Sequence, residues 1–508
     1  MYITQGLHRS LQQHPDALAV RGPSGDRTFA ELAGRVARLA SALAALGLRP
    51  GDRVGIITAN SPEFVETFLA CCWGGFTAAP VNTRWSLAEM AYQMNDADIS
   101  VLVADPDHLP RARELREACP VLRRLIATGP QADGFGDYEK FLAGSGPAPD
   151  VRASGDALVA ILYTGGTTGE PKGVMISAGQ LITSATGTLA TAGTPQAHRF
   201  LHTSPLYHLA SLAGVVQQVI LGSSHFILGD FETEAVATAI ERERITSTTL
   251  VPVMIQRLVA HARRTGADLS SLRLIGYGAS PISESVLKDT LDLLPGVDLC
   301  QRYGMTELGP VATVLTPGDH RDAGHPHLLR SVGRAALHAE IRVVDPGDRD
   351  VPAGEVGEII VRGGNMMLGY WKKPEATKEA LRGGWMHTGD LGYVDSDGYV
   401  YVVDRLKDMI VSGGENVYSA EVEQVLGRHP DVDACAVIGV PDPEWGERVH
   451  AVVVPSRGAE LTGEEIREFC ARSIARYKAP RTVDFAEELP RSAVGKILKR
   501  TLRERYRG

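Results

Sequence analysis

At 508 residues the chain is too long for one compact core, so at least two domains are expected. Its formal charge of −9 argues against a general nucleic-acid binder and against strong attraction to anionic lipid. No apolar run could span a bilayer, the N-terminal MYITQGLHRSLQQHPD lacks a signal-peptide core, and the six cysteines show no CxxC spacing. Buried thiols in a reducing compartment are therefore expected, with the cytoplasm as the address.

In chain order, Thr28 and Glu31 form a capping box, and Leu32, Val36, Leu39, Leu43 and Leu46 follow at helical spacing. Gly47 stops that helix, and Arg49-Pro50-Gly51-Asp52 turns the chain into a strand over 54–58. Ser86 and Glu89 start a second capped helix that leads into an apolar strand over 100–104. This alternation predicts an α/β architecture with largely buried sheets. The Gly/Pro/Ala stretch 144–149 reads as a surface connection before a strand over 157–162.

That strand runs into YTGGTTGEPKGV, residues 163–174. Thr164, Gly165, Gly166, Thr167, Thr168 and Gly169 combine backbone freedom with hydroxyl donors, and Lys172 adds a positive charge. Such a loop can wrap a polyphosphate. It is not a Walker A loop, because Lys172 follows Pro171 and precedes Gly173. From 345 to 403 short β-runs, including 357–362 and 398–403, alternate with Gly- and Asp-rich turns and suggest a small β-subdomain. Asp395 and Asp397 read as turn residues there. Beyond it, 420–426, 434–440, 449–454, 463–475 and 482–485 read as helix, strand, strand, helix and strand.

The loop at 163–174 resembles the phosphate loop of adenylate-forming enzymes, the group that includes acyl-CoA synthetases, aryl-CoA ligases, luciferases and stand-alone adenylation domains. Four further segments resemble that family's motifs in the family's order: QRYGMTE at 301–307, WMHTGD at 385–390, DRLKDMIVSGGENV at 404–417 and PRSAVGKILKR at 490–500. The resemblance implies a large N-terminal domain, 1–403, of α/β sheets plus the β-subdomain. It further implies a hinge at 404–407 and a small mobile C-terminal α/β domain, 408–508. The implied substrates and cofactors are a small carboxylic acid, ATP, Mg²⁺ and coenzyme A, and a homodimer is compatible with it.

By the same resemblance, Glu307 would hold Mg²⁺ and Thr306 would donate to the α-phosphate. Gly278, Ala279 and Ser280 would lie beside the adenine, with Tyr303 stacked on its face. Asp390 would accept from both ribose hydroxyls, Arg405 would reach the ribose, and Lys407 would sit in the hinge. Lys496 would bridge carboxylate and α-phosphate during adenylation. Gly413 and Gly414 would line a pantetheine tunnel, Trp445 would lie near the CoA nucleotide with Tyr477 and Arg481, and His208 would gate acyl pocket from thiol tunnel.

The acyl pocket is expected from 207–212, 277–279 and 309–311, including Tyr207, Tyr277, Pro310 and Val311. Its supply of Leu, Val, Ala and Gly favours a fatty acid, with aryl acids and malonate-type dicarboxylates as alternatives. Arg302 would either pair with a distal carboxylate or point to a neighbouring acid or to solvent. A carrier protein replacing CoA, a luciferase-like oxidase and a non-catalytic nucleotide-binding protein are the rival functions. The chain ends eight residues after Arg500 without a carrier domain, and Lys496, Glu307 and Asp390 are all present, so an acid–CoA ligase is favoured.

Overall fold

Both expected capping boxes form. Thr28 and Glu31 close the N-terminus of helix Phe29–Ala45, and Ser86 and Glu89 do the same for Leu87–Asp96. Leu32, Val36, Leu39 and Leu43 make the buried stripe of the first helix, which ends before Gly47 and leads into strand Arg53–Ile57. The computed structural model describes residues 1–508 apart from 131, 165–170, 194–197, 281, 413–414, 492–496 and 507–508. The chain forms two compact units: Met1–Ile341 with Val361–Met386, and Arg342–Ile360 with His387–Gly508.

Among the described residues, the first unit holds two large sheets. One has nine strands in the order Arg334–Ala335, Thr313–Leu315, Asp298–Tyr303, Leu274–Gly278, Ser247–Leu250, Arg199–His202, Ser224–Ile227, Leu18–Gly22 and Gly25–Thr28. From Asp298–Tyr303 to Leu18–Gly22 its neighbours run parallel. The other has eight, in the order Gly369–Tyr370, Lys172–Ser177, Leu158–Thr164, Thr77–Pro80, Arg53–Ile57, Val101–Ala104, Arg124–Ala127 and Gly136–Asp137. Helices Ala178–Ala192 and Leu209–Leu221 pack on each other and are apolar over most of their surface, as buried helices must be.

Strand periodicity then decides which side chains can face a ligand. Ile275, Tyr277 and Leu299 point into the core with Leu250, Leu258 and Leu287. Their neighbours Leu274 and Cys300 point the other way, toward Ala192, Val311 and Val314.

Strands Ala339–Val344, Gly357–Gly363, Met386–Val394 and Val400–Arg405 form a four-stranded sheet. Asp395 accepts from the backbone N–H groups of Asp397 and Tyr399, the turn role read from the sequence. The C-terminal sheet pairs Val432–Asp442 with Gly446–Pro455 and adds Thr482–Phe485 and the hairpin Ile410–Ser412/Glu415–Val417. That hairpin and the last helix, Lys499–Arg505, carry no periodic signal long enough to predict. The terminal helix is tied down by ion pairs. Lys499 pairs with Glu423 at 2.8 Å, and Arg503 pairs with Asp408. No helix among the described residues is long and apolar enough to cross a membrane, and the cysteines are free and mostly buried.

One buried polar pair yields a stability prediction. His202 Nε2 lies 3.0 Å from His225 Nδ1, both rings fully buried. Burial lowers both pKa values, His225 from 6.5 to about 4, and the neighbouring His225 lowers His202 further. Unfolded histidines bind protons before folded ones do, so this contribution is intact above about pH 6.5 and lost as pH falls toward 4. Denaturant melts of His225→Gln should show a flatter loss of stability across that window than the wild type. Parallel slopes would refute the linkage.

Candidate active site

Two paired strands flank the expected phosphate loop. Leu158–Thr164 and Lys172–Ser177 run antiparallel and bring Thr164 opposite Lys172, whose carbonyl accepts from Thr164 Oγ1 at 3.5 Å. Gly165, Gly166, Thr167, Thr168 and Gly169 lie outside the described residues. The Lys172 ammonium stands 4.9 Å from the centroid of the Tyr370 ring, a cation–π contact.

Tyr370 also reaches the expected metal carboxylate. Thr306 and Glu307 start a short 3₁₀ turn, Thr306–Leu308, directly after strand Asp298–Tyr303 and its glycine turn. Glu307 is buried, and Tyr370 Oη donates to its Oε1 at 2.8 Å. Burial, and then the nearby Glu307 charge, push the Tyr370 phenol well above its usual range, so it stays a donor. Asn365, fully buried, donates to the carbonyls of Leu308 and Val311 at 2.9 Å each and fixes the far side of the same loop. No cluster of three His, Cys, Asp or Glu side chains exists among the described residues. A single buried carboxylate fits Mg²⁺, which takes hard oxygen ligands and completes its shell with phosphate oxygens and water. When bound, that ion neutralises phosphate charge.

The backbone at the expected adenine side is tight. A Cβ on Gly278 would stand 2.2 Å from the Arg302 carbonyl oxygen, so only glycine lets these strands approach. Ala279 follows in the left-handed region at φ +66°, and Ala279 and Ser280 are exposed. Tyr303 closes its strand, and its carbonyl accepts from Ala312 N–H at 2.8 Å.

For the acyl pocket, the structure corrects one residue. Tyr277 does not line the face of Arg302. Strand alternation turns its fully buried ring into the opposite core, where Oη meets His320 Nε2 at 2.8 Å. Arg302 lies on the Gly276 face, and a Cβ on Gly276 would stand 3.3 Å from its guanidinium carbon and 3.0 Å from Thr249 Oγ1. Arg302 Nη1 donates to Gln217 Oε1 at 3.3 Å, while its buried Nε finds no partner among the described residues. Val311 is buried beside Cys300, next to Pro310 in the same loop.

Tyr207 and His208 precede helix Leu209–Leu221 with their rings 4.7 Å apart. Asn60 holds the approach to them, donating to Ser204 O at 3.1 Å and accepting from Leu206 N–H at 2.8 Å. A cavity of about 280 Å³ opens there between Tyr207, Pro205, Thr83, Arg84 and His108. Asn60, Gln217, Thr249, Asn365 and Tyr370 carried no signal in the sequence, since each is an isolated polar residue whose partner lies far along the chain.

In the second unit, Arg405 Nε binds Asp390 Oδ1 at 2.6 Å across paired strands, so the two residues expected at a ribose hold each other. Asp390 is buried. Lys407 is exposed one residue after Leu406. Arg481 stacks on Trp445 with its guanidinium carbon 3.9 Å from the ring centroid, and Tyr477 is exposed. Gly413, Gly414 and Lys496 lie outside the described residues.

A parallel sheet, paired strands on either side of residues 165–170, a buried carboxylate and a close backbone approach at Gly278 fit a nucleotide-dependent acid-activating enzyme. The chain belongs to the AMP-binding enzymes: that family model matches residues 7–371, and the AMP-binding enzyme C-terminal domain matches 421–496. A feruloyl-CoA synthase of Amycolatopsis is 41% identical over 98% of both chains. A medium/long-chain-fatty-acid–CoA ligase of Mycobacterium tuberculosis is 38% identical over 94% of this chain and 86% of that one. Among solved structures, an o-succinylbenzoate-CoA synthetase of Bacillus subtilis, in complex with its acyl-adenylate intermediate, superposes with a TM-score of 0.85 at 30% identity, covering 98% of this chain and 97% of that one. The protein is an AMP-forming acid–CoA ligase that uses ATP, Mg²⁺ and CoA.

The contact at Gly278 is directly testable. Gly278→Ala must displace the Arg302 backbone, at a cost of about 1–3 kcal/mol. A lower denaturation midpoint together with weaker ATP binding is expected. Wild-type values for both would mean the strands have slack.

Proposed function

We propose that the acid is one that carries an oxygen acceptor remote from its reacting carboxylate, in the first instance an aryl acid of the substituted-cinnamate type. The observation that carries this is the buried, unpartnered Arg302 Nε beside Gln217 and Thr249. A hydrocarbon tail reaching this point would leave that donor unsatisfied, and sites built around a buried donor discriminate strongly against analogues without an acceptor. The similarity to the feruloyl-CoA synthase supports the same reading. It moves the preferred substrate away from the fatty acid that the apolar lining suggested. A second reading, a dicarboxylate, is favoured by the guanidinium itself, whose fork suits a carboxylate.

In this account the carboxylate attacks the α-phosphate of ATP, pyrophosphate leaves, and the CoA thiol then displaces AMP. Lys172 and the loop 164–169 hold phosphates, and Glu307 would hold the Mg²⁺. Thr306 donates to the α-phosphate, Asp390 and Arg405 serve the ribose, and Gly278, Ala279, Ser280 and Tyr303 serve the adenine. Tyr207, Arg302, Pro310 and Val311 shape the acyl pocket, with His208 at its exit. Lys496 stabilises the charge that builds between two anions. The C-terminal part, 408–508, turns about 404–407, including Lys407, so that Gly413, Gly414 and Trp445 serve CoA. We extend the proposal to a cytoplasmic enzyme.

Mass spectrometry of products from a panel of acids tests the reading. The wild type should make acyl-CoA from substituted cinnamates faster than from straight-chain acids, and Arg302→Leu should narrow or invert that preference. A wild-type preference for straight chains would overturn the aryl assignment, and a dicarboxylate hit would select the second reading. Lys496→Ala should slow adenylation by roughly 10²–10³ while sparing thioester formation from supplied acyl-adenylate. Equal loss of both half-reactions would contradict two separate arrangements.

A further inference from the structure

Tyr370 is positioned more firmly than a packing residue needs to be. Its backbone N–H donates to Thr377 Oγ1 at 2.8 Å, and its two-residue strand pairs antiparallel with Met175 and Val174. On either side, Leu368 N–H donates to Met175 O at 3.1 Å and Trp371 N–H to Gly173 O at 2.7 Å, so the segment is laced to the strand that begins at Lys172. Met367 N–H donates to the Glu307 carbonyl at 2.8 Å, lacing the same segment to the other loop. From this anchorage the ring presents its face to the Lys172 ammonium and its hydroxyl to Glu307 Oε1.

We propose that Tyr370 is a positioning residue for the ATP·metal complex, fixing the Glu307 carboxylate by its hydroxyl and the Lys172 ammonium by its ring. The inference rests on the reading of Glu307 as metal carboxylate and Lys172 as phosphate lysine. The physical reason is entropic and electrostatic. A glutamate and a lysine each have several rotatable bonds, and a metal–phosphate complex binds best when both are already oriented. Partners that orient metal-binding side chains commonly affect metal affinity about 10–100-fold on removal. One rigid ring held by backbone bonds on both sides orients both groups at once.

The test uses the full-length protein, α,β-methylene-ATP as a non-reacting nucleotide, and Mn²⁺ as an electron-paramagnetic probe for Mg²⁺. The readouts are the Mn²⁺ dissociation constant in the presence of nucleotide and the nucleotide dissociation constant without metal. Tyr370→Phe should weaken Mn²⁺ roughly tenfold, with the metal-free nucleotide constant and melting temperature unchanged. Tyr370→Leu should weaken both constants, because it also removes the ring from Lys172. Glu307→Gln, the control, should abolish most Mn²⁺ binding. If Glu307→Gln binds Mn²⁺ like the wild type, the metal assignment itself fails. If Glu307→Gln loses the metal while Tyr370→Phe and Tyr370→Leu keep it, the role of Tyr370 alone is overturned. Should Tyr370→Phe lower the melting temperature, Tyr370→Leu decides by whether its two constants move or stay.

Discussion

Acid activation brings a carboxylate up to a polyphosphate, and the repulsion between these two anions is the constraint around which the first unit is arranged. Cationic and donor groups must already stand where the phosphates will be, because orienting them during the reaction would cost conformational entropy. Lys172 and Glu307 come from segments more than a hundred residues apart in sequence, yet both touch Tyr370. The segment bearing Tyr370 makes backbone bonds to both of their loops, and Asn365 ties down the remaining side of the Glu307 turn. A paired strand and a short hydrogen-bonded turn therefore carry these two charged groups.

The acyl side is governed by a different balance. Glycines at 276 and 278 clear a space on one face of the parallel sheet, and Arg302 fills part of it. A buried guanidinium nitrogen without a partner among the described residues, as Arg302 Nε is, is costly unless a ligand supplies an acceptor. On the proposed reading, that cost would select an acid with a remote oxygen over a purely hydrocarbon one.

Local signals made much of this legible in the sequence. Capping boxes at Thr28 and Ser86 fixed two helix starts, and the strand preceding the phosphate loop followed from an apolar run bounded by glycines. The motifs around Glu307 and Asp390 were found because several unusual residues stand together. Tyr277 was misread because motif proximity gives no face: one residue of strand alternation separates a pocket wall from the opposite core. Gln217, Asn365 and Tyr370 were missed because their meaning lies in partners 54 or more residues away, as with Arg302 to Gln217 at a separation of 85. Likewise the ion pairs of Lys499 with Glu423 and of Arg503 with Asp408 join residues too far apart in sequence to be read from it.

In an AMP-forming acid–CoA ligase a carboxylate oxygen of the acid becomes the bridge to AMP. Supplying an accepted acid labelled with ¹⁸O in its carboxylate, with ATP, Mg²⁺ and CoA, tests this by mass spectrometry of the nucleotide product. Attack on the α-phosphate followed by thiol displacement predicts AMP carrying one ¹⁸O and unlabelled pyrophosphate. Unlabelled AMP, or ¹⁸O in inorganic phosphate alongside ADP, would contradict the acyl-adenylate route and with it the roles given to Lys172, Glu307 and Lys496.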